Sequence, residues 1–236
     1  SAASDVYKRQ VFTNGAKESS FIELLDGSIL FAGDREGKKD ESDTTKFYKI
    51  CTSGGEAVLD FTVPALVNTI KQINDDEFLV LANFNRTKEL EKIEKESKKE
   101  EDKKENKEKI YDDSKDYLVA TEIPFWGNNI GFTNEDRSRL YHFNKKTSEF
   151  IPLSDDITDI YGLELSEDKT KAVFIATTFT GKMPLVNEVK ILDIKTKTVD
   201  LLAKDYSFAY ANFIDSENII TCLLYTSDAA DDLIGV

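Results

Sequence analysis

Apolar strands joined by short acidic or glycine turns recur along this chain, and that repetition constrains its fold more than any other feature. Four stretches share one plan: FIELLDGSILFAG, NTIKQINDDEFLVLANF, YGLELSEDKTKAVFIAT and AYANFIDSENIIT. Each reads as a β-hairpin, with turns at Asp26-Gly27, Asp75-Asp76, Glu167-Asp168 and Asp215-Ser216. Aspartate suits such positions because its carboxylate bonds its own backbone two residues on. A second kind of hairpin follows the first three, in KFYKICTSGGEAVL, RLYHFNKKTSEFIPL and EVKILDIKTKTVDLL, with turns starting near Cys51, Asn144 and Asp193.

Spacing ties the two kinds together. The first turn precedes the second by about 25 residues in the first and third units, and successive units recur about every 49 residues, within the range of four-stranded propeller blades. The middle unit is longer by about 44 residues, which must lie between its second and third strands. The expected fold is therefore all-β: a partial, open β-propeller of about three and a half four-stranded blades, carrying one charged helical or disordered insertion over about residues 86–132.

Two parts make up that insertion. From Lys88 to Lys109 it is almost entirely Lys and Glu without Gly or Pro. Pairs such as Glu89–Lys92 and Glu91–Lys95 favour a solvated helix that has no apolar face to bury. The second part, YLVATEIPFWGNNIGFTNEDRSRLY, holds the only Trp of the chain, flanked by Pro124, Phe125, Gly127 and Gly131.

The two ends match nothing between them. Ser1–Gln10 and Cys222–Asp231 can be back-translated into strings that are reverse complements over their shared span, as if one DNA oligonucleotide had been read in both directions. That oligonucleotide resembles an adapter used in making sequencing libraries. Residues 1–10 and 222–236 are accordingly expected to be adapter-derived rather than native, leaving 11–221 as the propeller segment.

The whole chain carries a formal charge of −14; without Asp5, Lys8, Arg9, Asp228, Asp231 and Asp232 it is −12. A surface of that sign repels phosphate backbones and anionic lipid, so neither nucleic acid nor a membrane is an expected partner. No apolar run approaches the roughly 20 residues of a membrane-spanning helix. With Cys222 set aside, Cys51 is a lone cysteine, which permits neither a disulfide framework nor a Cys/His metal cluster within the segment.

Catalytic chemistry is poorly represented. No G-x-S-x-G nucleophile elbow occurs. His142, the only histidine, lies between Tyr141 and Phe143 in an expected strand, where a core role outweighs that of a general base. Cys51 reads as a turn-flanking residue. The pairs Asp75-Asp76 and Asp155-Asp156 sit at turns and read as backbone caps, not as an acid/base pair.

EIPFWGNNIGFTNEDRSRLYHFNKKTSEFIPLSDDITDI, followed by LSEDKTKAVF and preceded by DREGKKDESDTTKFYKICTSGGEAVLDFT, resembles the propeller of bacterial prolyl oligopeptidase-type serine peptidases, in the acylaminoacyl-peptidase and dipeptidyl-aminopeptidase branch. The resemblance covers nearly all of residues 20–220, and Glu122 to Phe132 is its most specific part. It implies an N-terminal propeller that gates peptide substrates for its own C-terminal α/β-hydrolase domain, which carries the Ser, Asp and His of the triad and lies outside this sequence. It also implies a hydrolase without a cofactor and a cytoplasmic location. A propeller acting only as a binding or scaffold module is the alternative.

Under that resemblance Glu122, Phe125, Trp126 and Asn128 are the candidate substrate-binding residues. Phe125 and Trp126 either cover a blade edge or face the substrate chamber, and in the second case Glu122 would meet a substrate amine.

Overall fold

The computed structural model describes residues 18–34, 43–90, 92–93 and 118–224. Its strands follow in chain order: β1 (Ser19–Glu23), β2 (Ile29–Ala32), β3 (Thr45–Ile50), β4 (Val58–Val63), β5 (Val67–Gln72), β6 (Glu77–Asn85), β7 (Trp126–Gly127), β8 (Gly131–Phe132), β9 (Asp136–Asn144), β10 (Glu149–Pro152), β11 (Thr158–Leu165), β12 (Lys171–Thr178), β13 (Asn187–Asp193), β14 (Thr198–Tyr206), β15 (Phe208–Phe213) and β16 (Ile219–Leu223). They form three four-stranded antiparallel sheets, β1-β2-β3-β4, β5-β6-β9-β10 and β11-β12-β13-β14, then the two-stranded sheet β15-β16. These are blades I, II and III and a half-blade: an open propeller arc of three and a half blades, as the repeat spacing predicts.

The second strand of each blade shows why such sequences become propellers. EFLVLANF in β6 is apolar at successive positions instead of alternating. Phe78, Val80 and Ala82 point into a core shared with Phe47, Phe61 and Val63 of blade I, while Leu79 and Leu81 point into one shared with Ile160, Leu163 and Phe174 of blade III. Successive side chains on a strand face opposite ways, so a continuous apolar run has to be covered on both faces. In β12 the same rule places Ala172, Phe174 and Ala176 against blade II, and Val173 and Ile175 against Phe208 and Ala211 of the half-blade. Each fully buried Phe or Leu contributes about 1.5–3 kcal/mol by leaving water.

The hairpin turns lie where expected, with one difference in chemistry. Asp26, Asp168, Asp193 and Asp215 accept backbone N–H groups from Ser28 (3.0 Å), Thr170 (3.1 Å), Thr196 (2.8 Å) and Glu217 (2.8 Å). In the blade II turn Asn74 has this role instead, its side-chain oxygen taking the N–H groups of Asp76 and Glu77, both at 3.0 Å. Asp76 is thereby left free to pair with Lys146 at 2.6 Å. Lys49 similarly reaches back to Asp26, so the two turns at one end of a blade are tied together.

The insertion extends from the end of β6 to the start of β9, slightly beyond the expected limit at 132. It opens with helical turns at 86–90 and 92–93. Asn85 caps them, its side-chain oxygen accepting the N–H of Lys88 at 3.0 Å, as an N-cap residue does for the third helical position. Lys92 pairs with Asp43 on the blade I loop at 2.9 Å. The rest of the charged run, 94–117, lies outside the described residues, as do 1–17 and 225–236. Strand β16 crosses the expected boundary at 221/222 without a break, Cys222 pairing with Tyr210 and Leu223 with Phe208.

Candidate functional site

The loops between second and third strands gather at the opposite end of the blades from the hairpin turns, and the insertion of blade II reaches across to the corresponding loop of blade III. Ile123 forms an isolated parallel bridge with Lys182, receiving the Met183 N–H at 2.8 Å and donating its own N–H to the Gly181 carbonyl at 3.1 Å. The Ile123–Pro124 peptide is cis.

Glu122 anchors the segment from within. Its side chain is 6% exposed and that of Arg137, on β9, is 4%. Arg137 donates Nη1 to Oε1 at 3.0 Å and Nη2 to Oε2. The Glu135 N–H adds a bond to Oε1 at 2.7 Å. Arg137 also donates Nη1 to the Asp136 carbonyl (2.8 Å) and Nε to the Ile157 carbonyl (3.2 Å), and its guanidinium lies 3.9 Å from the ring centre of Phe179. One arginine therefore joins the insertion, β9 and the entry and exit of the first hairpin of blade III. Bidentate pairing of this kind satisfies a buried carboxylate, which would otherwise be costly to desolvate.

Polar side chains complete the anchor. Buried Asn134 accepts the N–H groups of Thr121 (2.8 Å) and Glu122 (3.2 Å). Glu135 receives the hydroxyls of Thr87 (2.5 Å) and Thr121 (2.9 Å); burial works to raise its pKa, and these bonds prevail and hold it below the usual carboxylate value. Burial pushes Asp159 upward, against the opposing influence of the Ser138 N–H at 2.7 Å and the nearby Arg137.

The aromatic residues face the other way. Phe125 is 44% exposed and Trp126 60%. Trp126 begins the β7–β8 hairpin, whose turn carries exposed Asn128 and Ile130 and closes through the Ile130 N–H to the Gly127 carbonyl at 3.1 Å. Gly131 has a φ of +96°, which a side-chain-bearing residue rarely adopts. Together with exposed Ile123, Met183 and Leu185 these residues make an apolar rim along the loop end of blades II and III.

The four residues named from sequence therefore separate into two groups: Phe125, Trp126 and Asn128 at the surface, and Glu122 beneath it with its carboxylate engaged by Arg137 and the Glu135 amide. The arrangement leaves Glu122 as the insertion's anchor, not as an open carboxylate at the surface. Sequence reading missed Arg137 and Asn134. A signal for the arginine was present: Arg137 and Arg139 continue, at intervals of two, the same face of β9 as buried Tyr141 and Phe143.

Beside the anchor, a cleft of about 860 Å³ runs between the insertion and the loop end of blade II, lined by Ala65, Phe84, Arg137, Arg139, Tyr141 and Phe150 among others.

The remaining reactive groups lie apart from it. His142 is buried in β9, its Nε2 3.2 Å from Glu77, and burial, with Lys197 nearby, lowers its pKa. Cys51 is exposed, its thiol 3.0 Å from the Ser53 hydroxyl, which holds the pKa below the ordinary thiol value. Asp155 accepts the Ile157 N–H at 3.2 Å and Asp156 pairs with Arg86 at 3.3 Å, so the two carboxylates do not act as a pair. Among the described residues no His, Cys, Asp and Glu cluster is arranged to hold a metal, and no helix is long and apolar enough to cross a membrane.

No protein-family model and no curated protein matches the sequence. Among solved structures, an acylaminoacyl peptidase from Pyrococcus horikoshii is similar, with a TM-score of 0.52 at 14% identity over 87% of this chain. An acylaminoacyl peptidase in complex with Z-Gly-Gly-Phe-chloromethyl ketone is similar at a TM-score of 0.51 and 13% identity, again over 87% of this chain. The chain spans 28% of the length of each of those proteins. Its three and a half blades thus share the fold of a corresponding part of acylaminoacyl peptidases.

Proposed function

We propose that this chain is the substrate-gating propeller of a serine peptidase acting on oligopeptides, with the α/β-hydrolase domain elsewhere in a longer protein. The observation that carries this reading is the rim at the loop end of blades II and III. Phe125, Trp126, Met183 and Leu185 are exposed apolar side chains held on backbone fixed by the Ile123–Lys182 bridge and the Glu122–Arg137 pair. Exposed apolar side chains gathered on a fixed backbone suit a surface that meets a second domain or a passing peptide. Trp126 and Phe125 supply contact area with few rotatable bonds, and Asn128 adds an amide that can bond a peptide backbone. Similarity of fold to acylaminoacyl peptidases supports the same reading.

The test uses the complete protein. Under gating, Trp126→Ala lowers kcat/KM for an oligopeptide by about tenfold, roughly 1.4 kcal/mol, and leaves hydrolysis of a single-residue ester unchanged. Equal effects on both substrates, or none on either, would overturn it. A scaffold module would show no peptidase activity in any form.

A further inference from the structure

Most cations lining the cleft beside the Glu122–Arg137 anchor are neutralised. Lys88 pairs with Asp136 at 3.7 Å, Lys92 with Asp43 at 2.9 Å, and Arg137 with Glu122. Arg139 is the exception: among the described residues no carboxylate lies within ion-pair reach of it, in a chain whose net charge is −14. It is not a mobile surface residue. Its Nε donates to the Ser154 carbonyl at 2.9 Å, its guanidinium lies 4.8 Å from the ring centre of Phe84 and 5.8 Å from that of Tyr141, and the side chain is half-buried. Tyr141 in turn stacks on Phe150 with ring centres 4.1 Å apart and planes at 12°. The floor of the cleft thus carries the rings of Phe84, Tyr141 and Phe150, with the guanidinium of Arg139 among them and no described carboxylate within ion-pair reach of it.

We infer that this cleft binds a carboxylate carried on an aromatic or similarly apolar body, with Arg139 receiving the carboxylate and Phe84, Tyr141 and Phe150 the apolar part. A guanidinium held through Nε presents its terminal N–H groups as a planar fork matched to the two oxygens of a carboxylate. Partial burial makes that charge more effective than a solvated lysine would be. The rings supply contact area that a small inorganic anion would not use, so size and polarity select an organic acid. Of the acids that line the cleft among the described residues, Asp43, Asp136 and Glu122 are paired with Lys92, Lys88 and Arg137, and neither Glu89 nor Asp159 lies within ion-pair reach of Arg139. The inference does not depend on the chain belonging to a peptidase.

The experiment titrates the chain with 3-phenylpropanoate and, separately, with 3-phenylpropanamide, following binding by ligand-observed NMR and calorimetry. The acid is expected to bind and the amide to bind at least about tenfold more weakly, a gap of roughly 1.4 kcal/mol. Arg139→Met keeps an unbranched chain over Phe84 and is expected to weaken the acid by a similar factor while leaving the amide unchanged. Arg139→Lys recovers part of the difference. A short peptide ending in phenylalanine, tested alongside, separates the sources: tighter binding than phenylpropanoate assigns a peptide chain end, weaker binding a free organic acid. Equal affinity for acid and amide on the unmodified chain, or acid binding unchanged in Arg139→Met, overturns the inference.

Discussion

Arg137 grips Glu122 with both terminal nitrogens of its guanidinium, inside the protein, at the point where a long insertion rejoins its blade. The pair spans only 15 residues of sequence, yet it holds together three separate parts of the fold, because the same guanidinium bonds Ile157 and stacks on Phe179. Position of the apolar rim therefore depends on a buried charge pair, and the first prediction follows from its energetics.

Removing one member leaves the other charged and buried, so Arg137→Ala or Glu122→Ala should cost about 3–5 kcal/mol. Replacing both with Met and Leu of similar volume should cost much less. Urea denaturation of the four proteins checks this. Single losses below about 1 kcal/mol would show that the pair does not hold the insertion.

His142 makes stability depend on pH. Its Nε2 faces Glu77, while among the described residues its Nδ1 has no hydrogen-bond partner. Burial lowers the folded-state pKa from 6.5, with Lys197 acting in the same direction and Glu77 and Glu149 opposing. The neutral ring is therefore the form the fold favours. Its contribution is fully present above the unfolded value of 6.5 and is lost as pH falls from there through the lower folded value. Thermal melts between pH 7.5 and pH 5, a range of about 2–3 pH units around an ordinary histidine, should show the melting temperature falling. His142→Gln should flatten that dependence. A variant with the same slope as the parent would assign the pH effect to other groups.

Phe61 joins blades I and II. Its ring lies 5.2 Å from that of Phe47 in its own blade, and 5.0 and 5.3 Å from those of Phe78 and Phe143 in the next. Phe61→Ala should cost about 3–5 kcal/mol, through lost burial and the cavity left among three rings. Leu59→Ala, at a 43% exposed position on the same strand, should cost under about 1 kcal/mol. Chemical denaturation of both variants provides the comparison; similar losses would mean that the blades do not pack through this cluster.

Strand order, blade number and insertion site were legible in the residues, because each is set locally. A hairpin is specified by apolar runs on either side of a turn, and the turns of this chain repeat at regular intervals with one break. A continuous apolar run such as that of β6 also announces, without coordinates, that both faces must be covered. The partners across those faces were not legible. Asn74 replaces the neighbouring aspartates as the turn cap because its reach to the Asp76 and Glu77 amides depends on backbone angles that composition does not show. Glu122 and Trp126 lie four residues apart in one unusual motif, and sequence offers no reason to separate them. Tertiary structure does: strand β9 brings Arg137 beneath Glu122, so the carboxylate turns inward to the guanidinium, and the short β7–β8 hairpin carries the indole outward. Arg139 shows the same limit: that no described carboxylate lies within ion-pair reach of it depends on where the neighbouring strands and the insertion set their acids in space.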